Sequence, residues 1–294
     1  MTKTAFLAIV GRPNVGKSTL LNTVCGEKIA IVSNKPQTTR NRITGIYTKG
    51  EDQFVFLDTP GIHKPRTALG DYMVRTANGS IGEADAILLV VEPVPSVGEI
   101  EAGIIEKIRA SKTPAILVVN KVDEHTPADI AATIAAYAAA YDFNAVVPIS
   151  AKSGKGVDAL FEEASKFLYE SVWYFPEDAV TDQPERQIAA EIIREKLLRT
   201  LNKEIPHGTA VVIEEFREEK NIIRIRAEIF CEKASHKGII VGKNGAALKL
   251  VGTYAREDLE KFLGTKVYLN LWVKVKENWR ESAATVGNFG YRDE

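Results

Sequence analysis

The chain has 294 residues, a formal net charge of −1, and 45% hydrophobic against 26% charged residues. That balance fits a soluble globular protein of about two ordinary domains and excludes a disordered, fibrous or disulfide-stapled one. Uninterrupted apolar runs such as Ala86–Val91 are far short of the roughly 18 residues that span a bilayer, and the N-terminus lacks the basic-then-apolar pattern of a signal peptide, so a cytoplasmic protein is expected. Cys25 and Cys231 are the only cysteines; they fall in different predicted domains and read as small core residues rather than a bridge.

From Ala5 to about Leu168, short runs rich in Val, Ile and Leu alternate with helical patterns, the signature of an α/β domain with a mostly parallel sheet and helices on both faces. Strands are predicted at 5–10, 43–49, 53–57, 86–91, 115–119 and 145–149, and helices at 17–25, 70–82, 98–110, 128–140 and 157–169. Ala86–Val91 and Ala115–Val119 read as central strands buried on both faces. Pro176, Asp178, Asp182 and Pro184 break every period over Ser171–Pro184, so no structured element is expected there. The organisation is therefore residues 1–170 as one domain, 171–184 as a linker, and 185–294 as a second, α+β domain with a C-terminal tail. In that part a helix (186–203), two strands (209–217 and 221–231), a short helix (234–240), a long helix (246–262) and a strand (267–276) are predicted. Its charge is uneven: residues 233–276 hold nine basic and three acidic side chains, which points to one basic face.

Gly11-Arg-Pro-Asn-Val-Gly16-Lys17-Ser18-Thr19 follows the first strand and opens the first helix, the context a phosphate-binding P-loop requires. Gly11 and Gly16 let the backbone turn its N–H groups inward, those of Val15 and Thr19 among them, and the helix adds its positive N-terminal end. Lys17 is expected to bridge the β- and γ-phosphates and Ser18 to ligate Mg²⁺. Asp58-Thr-Pro-Gly61 closes the strand 53–57, so the Asp58 carboxylate emerges at the sheet edge where ligands bind and fits a role toward Mg²⁺. Gly61 lacks a Cβ and permits close approach to the γ-phosphate. Between them lies a polar segment, Ser33–Arg42, in which a Thr hydroxyl completes the metal shell only while the γ-phosphate is present, an order–disorder switch. Thr39 is favoured, with Thr38 the alternative.

Asn120-Lys121-Val122-Asp123 ends the strand 115–119 on the same sheet edge and reads as the base site. The Asp123 carboxylate accepts from the guanine ring N–H and exocyclic amine, which adenine does not offer, and such sites reject the wrong analogue by about 10⁴–10⁵. Asn120 is expected to tie this loop to the P-loop and the Lys121 stem to lie over the base. Ser150-Ala151-Lys152 can present a backbone N–H to the guanine O6. The pattern implies GTP and GDP as ligands, with Lys17, Thr39 and Gly61 serving hydrolysis. Ile62 stands where many GTPases carry the Gln that orients the attacking water, so slow intrinsic turnover is expected. Asn14 resembles the residue that holds K⁺ in a potassium-stimulated subset, the alternative being a purely structural cap; His63 is expected to face solvent.

In the second domain Gly242-Lys243-Asn244-Gly245 forms a Gly-x-x-Gly turn between two helical segments, with strands before and after, the order of a helix-first KH domain. Such turns clamp about four nucleotides of single-stranded nucleic acid. Lys233, His236, Lys237, Lys243, Asn244 and Lys249 are expected to meet RNA, with Ile239, Ile240 and Val241 as an apolar floor under the bases.

Over its whole length the chain resembles the bacterial Era GTPases, in the P-loop sequence above, Gln37-Thr-Thr-Arg40, Asp58-Thr-Pro-Gly-Ile-His63, Asn-Lys-Val-Asp, Ser-Ala-Lys, Tyr174-Phe-Pro-Glu-Asp178, the Gly-Lys-Asn-Gly turn and the tail Trp279…Gly290-Tyr291. The resemblance implies a GTPase domain followed by a KH domain, binding of the 3′ end of 16S ribosomal RNA in the GTP state, a role in maturation of the 30S ribosomal subunit, and peripheral association with the inner membrane; no DNA partner is expected. Lys243 and Asn244 stand where many relatives have two glycines, a departure that bears on base preference. Two other classes compete. An RNA-modification GTPase needs a reactive cysteine or a cofactor domain, and a membrane-surface signalling GTPase needs a basic amphipathic helix or lipid anchor, which Gly287–Glu294 does not offer.

Overall fold

The computed structural model describes residues 1–201 and 205–292, and the chain divides into two compact units. The first holds Met1–Ala30, Thr39–Pro65 and Met73–Asp182; the second holds Ile31–Thr38, Arg66–Tyr72 and the chain from Gln183 onward.

The first unit is built on a sheet of β1 (Lys3–Val10), β2 (Ile43–Lys49), β3 (Asp52–Asp58), β4 (Ala86–Val91), β5 (Ala115–Val119) and β6 (Ala145–Pro148), in the order β2-β3-β1-β4-β5-β6. Only β2 runs antiparallel, as a hairpin with β3; the other pairs in that series are parallel. Parallel neighbours need crossover helices, supplied by α1 (Lys17–Cys25), α2 (Ala68–Glu83), α3 (Glu99–Ser111) and α4 (Pro127–Ala140), with α5 (Val157–Ser165) following β6. Alternate residues of each central strand feed two cores. Leu7, Ile9, Leu88, Val90, Ile116 and Val118 belong to one, while Ala8, Val10, Ile87, Leu89, Leu117 and Val119 belong to the other. Every residue of β4 and β5 is accordingly buried, as the uninterrupted apolar runs require. Thr126 caps α4 in a reciprocal box with Asp129, which sets the start of the Ala-rich helix.

The segment expected to be an unstructured linker is instead strapped to the first unit. β7 (Tyr169–Glu170) pairs antiparallel with β1, and the fully buried Gln53 uses its amide as a clamp. Its oxygen accepts from the N–H groups of Tyr174 (3.0 Å) and Phe175 (3.1 Å), and its nitrogen donates to the Phe175 carbonyl at 2.9 Å. Further along, the Ile46 N–H donates to the Val180 carbonyl. The unit boundary thus falls at Asp182/Gln183, after the strap rather than before it.

The second unit contains α6 (Glu185–Thr200), β8 (Ala210–Glu219), β9 (Ile222–Cys231), α7 (Ala234–Val241), α8 (Ala246–Leu263), β10 (Lys266–Val275) and α9 (Ala283–Asn288). Residues 202–203 of the predicted first helix lie outside the described residues. The sheet order is β10-β9-β8, with β10 parallel and β8 antiparallel to β9. One face packs Ile213, Ile225, Ala227 and Val273 against Ile188, Ile192, Val251 and Leu259 of α6 and α8. Trp279 is fully buried and its indole N–H donates to the Gly208 carbonyl at 3.0 Å.

Candidate functional site

Glycine is required twice where the P-loop turns. A Cβ on Gly11 would sit 2.4 Å from the Val90 carbonyl oxygen, and one on Gly16, whose φ is +98°, would sit 2.2 Å from the Asn120 amide nitrogen. Both positions let backbone approach where any side chain would clash. Asn14 holds the exposed crest of the loop with φ +68°. Val15 is fully buried, and Thr19 is half-buried in the first turn of α1.

Lys17 is buried, and its ammonium donates to the carbonyls of Gly11 (3.1 Å) and Arg12 (3.0 Å). Burial pulls its pKa down to about 8, against the attraction of Asp58. Beside it Ser18, Thr39 and Asp58 form one cluster. The Ser18 hydroxyl donates to an Asp58 carboxylate oxygen at 2.7 Å and lies 2.7 Å from the Thr39 hydroxyl. Asp58 is fully buried, its other oxygen Oδ1 has no hydrogen-bond partner, and burial pushes its pKa up to about 6 against the pull of Lys17. Two hydroxyls and a carboxylate with an unpartnered oxygen are hard donors of the kind Mg²⁺ takes when it keeps water and phosphate as its remaining ligands. The two threonines are separated by geometry: Thr39 reaches Ser18, whereas the Thr38 hydroxyl donates to the Lys35 carbonyl at 2.6 Å.

A Cβ on Gly61 would lie 2.8 Å from the Pro13 backbone, so the Asp58–Gly61 turn closes on the P-loop at a distance only glycine permits. Ile62 is buried in the core behind the sheet, and its N–H donates to the Gly11 carbonyl at 3.2 Å. It anchors the switch and presents nothing to the site. His63 is half-buried rather than solvent-facing, with Nδ1 2.9 Å from the Gly61 carbonyl.

The base loop is organised by Asn120, which is 2% exposed. Its amide donates to the Val15 carbonyl and accepts from the Ala151 N–H, both at 2.8 Å, so one side chain ties the P-loop, the end of β5 and the Ser150–Lys152 turn. Asp123 is exposed, as a ligand-facing carboxylate must be, and a hydrogen bond from Ser150 holds it below the usual carboxylate range. Ser150 and Ala151 are buried while Lys152 is exposed. Lys121 adopts φ +62° and pairs with Glu92. The sequence reading missed Glu92 and Glu101: Glu92 also pairs with Arg12, whose Nε lies 3.1 Å from Glu101, so acidic residues link the phosphate loop to the base loop. Their only local signal is acidic residues flanking a Pro-broken loop after a strand.

In the second unit the Gly242–Gly245 turn joins α7 to α8, with Asn244 at φ +52°. The two glycines differ. A Cβ on Gly242 would press on Ala247 at 2.7 Å, whereas Gly245, at φ +77°, faces open space. Gly242 therefore serves the helix turn itself, and Gly245 leaves the surface open. Lys233, Lys237, Lys243, Asn244 and Lys249 are exposed, and His236 is half-buried with Nδ1 unpartnered. The apolar floor is corrected: Ile240 is fully buried in the core, Val241 packs partly against it, and only Ile239, at 52% exposed, faces water. The groove itself runs between α8 and β10, lined by Leu248, Gly252, Thr253, Arg256, Tyr268, Leu269 and Leu271 together with Gly245 and Lys249. Gly245 and Lys249, named from the sequence, lie on this groove. A spacing of three to four along α8 was the available signal.

Burial raises the pKa of both thiols. Cys25 is pushed up to about 12 and Cys231 is also raised, each mainly by burial, which removes the thiolate an RNA-modifying chemistry needs.

A family model described as a 50S ribosome-binding GTPase matches residues 6–121, and a KH-domain model matches 204–280. GTPase Era of Clostridioides difficile is 53% identical, covering 100% of both chains, and GTPase Era of Clostridium acetobutylicum is 51% identical, covering 99% of each. Among solved structures, an Aquifex aeolicus Era variant bound to GDP and aluminium tetrafluoride matches with TM-score 0.95 at 40% identity, over 99% of this chain and 100% of that one. An Era in complex with MgGDPNP and nucleotides 1506–1542 of 16S ribosomal RNA matches with TM-score 0.94 at 39% identity, over 100% of each.

Proposed function

The chain belongs to the Era GTPase family, and from that premise we propose that it is a GTP-hydrolysing switch that binds the 3′ end of 16S ribosomal RNA and assists maturation of the 30S subunit. The observation that carries the reading is the meeting of Ser18, Thr39 and Asp58 beside Lys17. When bound, Mg²⁺ supplies charge neutralisation at the phosphates; Ser18 and Thr39 would hold it, with Asp58 alongside. Lys17 is desolvated and releases two backbone carbonyls in favour of phosphate oxygens, and the P-loop N–H groups bind the remainder. Asp123 reads guanine, with a backbone N–H of the Ser150–Lys152 turn meeting its O6. Thr39 reaches the metal position only when its segment is ordered, which makes the segment sensitive to the γ-phosphate.

Hydrolysis by this machinery is slow on its own, because Ile62 is tied into the core and no Gln takes its place. Asn14 at the crest of the P-loop is the position from which K⁺ would assist. The Gly245 turn, the exposed lysines and the α8–β10 groove would take single-stranded RNA, with no role for DNA. Among the described residues no helix is long and apolar enough to cross a membrane. A cytoplasmic place of work with peripheral contact at the inner membrane follows the family resemblance, and cell fractionation tests it.

The deciding experiment measures affinity for an RNA carrying the 3′ end of 16S rRNA, a scrambled RNA and a DNA of the same sequence. It is run at one salt concentration, because phosphate contacts are salt-sensitive, with a non-hydrolysable GTP analogue and with GDP. Preference for the 3′-end RNA in the GTP state is expected. Equal binding of all three nucleic acids, or equal RNA affinity in both nucleotide states, refutes the reading.

A further inference from the structure

The three-stranded sheet of the second unit packs one face on α6 and α8 and turns the other outward. Along β10, Val267 and Val273 are buried while Tyr268, Trp272 and Lys274 are exposed; along β9, Ile223, Ile225 and Ala227 are buried while Arg224 and Arg226 are exposed. The parallel register sets Tyr268 beside Arg224 and Asn270 beside Arg226, so rings and guanidinium groups share the outer face. The Arg224 guanidinium lies 5.2 Å over the Tyr268 ring. Tyr268 is 51% and Trp272 58% exposed, an unusual cost for two large rings on the outward side of one strand, with Asn270 between them. At the far end of this face the chain covers its own aromatic: Phe289 stacks on Phe230 at 4.5 Å, with Trp279 against Phe289. No such cover lies on Tyr268 or Trp272 among the described residues.

Two observations select the occupant. Glu219 is shared by Arg224 (3.0 Å) and Arg217 (3.9 Å) and Glu228 pairs with Lys274, but Arg226 has no carboxylate partner among the described residues. In addition, Tyr268, Leu269 and Leu271 border the α8–β10 groove, so the face begins where the groove wall ends. Exposed rings interleaved with arginine are the elements on which successive bases of a single strand stack while cations meet the phosphates.

We propose that the Tyr268–Trp272 face is a second surface for single-stranded RNA, taking nucleotides that run beyond those held in the groove. Tyr268 and Trp272 stack bases and Arg226 meets a phosphate. This rests on the RNA-binding reading above, and the test separates the two. The full-length protein with a GTP analogue is titrated, at several salt concentrations, with a four-nucleotide RNA and with a ten-nucleotide RNA that contains it. Trp272→Ala is expected to leave the short RNA's affinity unchanged and to weaken the long one about tenfold, a typical loss for one stacked base; Trp272→Phe restores it. Arg226→Ala weakens only the long RNA and lowers its salt dependence by about one phosphate contact. Unchanged long-RNA affinity in Trp272→Ala overturns the second surface while leaving the groove reading intact. Equal loss for both lengths overturns it too, since the effect then runs through the groove or the fold. Failure of the unmodified protein to bind either RNA overturns both readings together.

Discussion

Truncating Asn120 to alanine tests whether the base loop is held by one side chain. The amide makes two 2.8 Å hydrogen bonds, to the Val15 carbonyl and from the Ala151 N–H, and Val15 and Ala151 are 0% and 1% exposed. Removing it leaves one buried acceptor and one buried donor unpaired, each costing roughly 1–3 kcal/mol. The amide vacates the space beside Gly16 that it now fills, where it would lie 2.2 Å from a Cβ, so water can partly re-pair these groups and the lower half of the range applies. A loss of about 2–4 kcal/mol lowers the first unit's unfolding temperature by roughly 5–15 °C for a domain of this size. Calorimetry of nucleotide-free protein measures it, with a GDP titration in parallel. If affinity for GDP collapses while the transition moves by less than about 2 °C, an ordinary surface-substitution effect at the ~2–4 °C per kcal/mol scale, Asn120 serves the nucleotide directly and the bridging argument is wrong.

Asp123→Asn exchanges an acceptor for a donor at an exposed position, so it should shift preference from guanine toward xanthine nucleotides without changing the unfolding temperature; retained GTP preference in a competition assay removes Asp123 from the base site. K⁺ should accelerate GTP hydrolysis over Na⁺, and Asn14→Ala should erase the difference, whereas equal rates in both salts return Asn14 to a structural role. Asp58 supplies a pH test. Burial raises its pKa to about 6, so the folded state holds a proton that the unfolded chain has released, and the destabilisation by the charged form is present above about 6 and relieved below it. Lys17, lowered only to about 8, is mostly protonated across pH 5–7 in the parent. The stability of the nucleotide-free parent relative to Asp58→Asn should therefore rise as pH falls through 6; a flat difference from pH 5 to 7 in denaturant titrations contradicts it.

The loops around the nucleotide were legible because their chemistry dictates residue type at fixed spacing: glycines where Val90 and Asn120 press on the backbone, a Lys and a Ser at the helix start, an Asp at the end of β3. Helical and strand periods likewise gave the order of elements. What stayed hidden depends on partners distant in sequence. Gln53 reads as a polar strand residue, and only its partners 121–122 positions away make it a clamp. The strap was unreadable because its hydrogen bonds go to other strands rather than to itself. In α6, Arg194, Glu195 and Lys196 follow one another and read as a solvated stretch, yet all are buried. The KH groove needed β10 beside α8, and the RNA floor failed because the run Ile239-Ile240-Val241 says nothing about which residue turns inward.

The buried charges of α6 say how a nucleotide switch could reach the RNA-binding half of the chain. Within the second unit they hold the segment Ile31–Thr38. The Glu195 carboxylate accepts from the Val32 N–H at 3.1 Å, Arg199 donates to the Val32 carbonyl at 3.0 Å, Lys35 donates to the Leu201 carbonyl, and Arg194 donates to the carbonyl of Thr38. The next residue, Thr39, is the one whose hydroxyl meets Ser18. One peptide bond thus separates a residue answerable to the phosphate cluster from a residue held by a guanidinium that is fully buried and paired with Glu191. A hydrogen bond to a charged group contributes about 1.5–3 kcal/mol, so a state that pulls Thr38 away from Arg194 is resisted unless Arg194 finds another acceptor. Linkage sets the condition for such a switch: if RNA binding alters the Arg194–Thr38 contact and GTP binding alters it too, each ligand changes the other's affinity by the same factor.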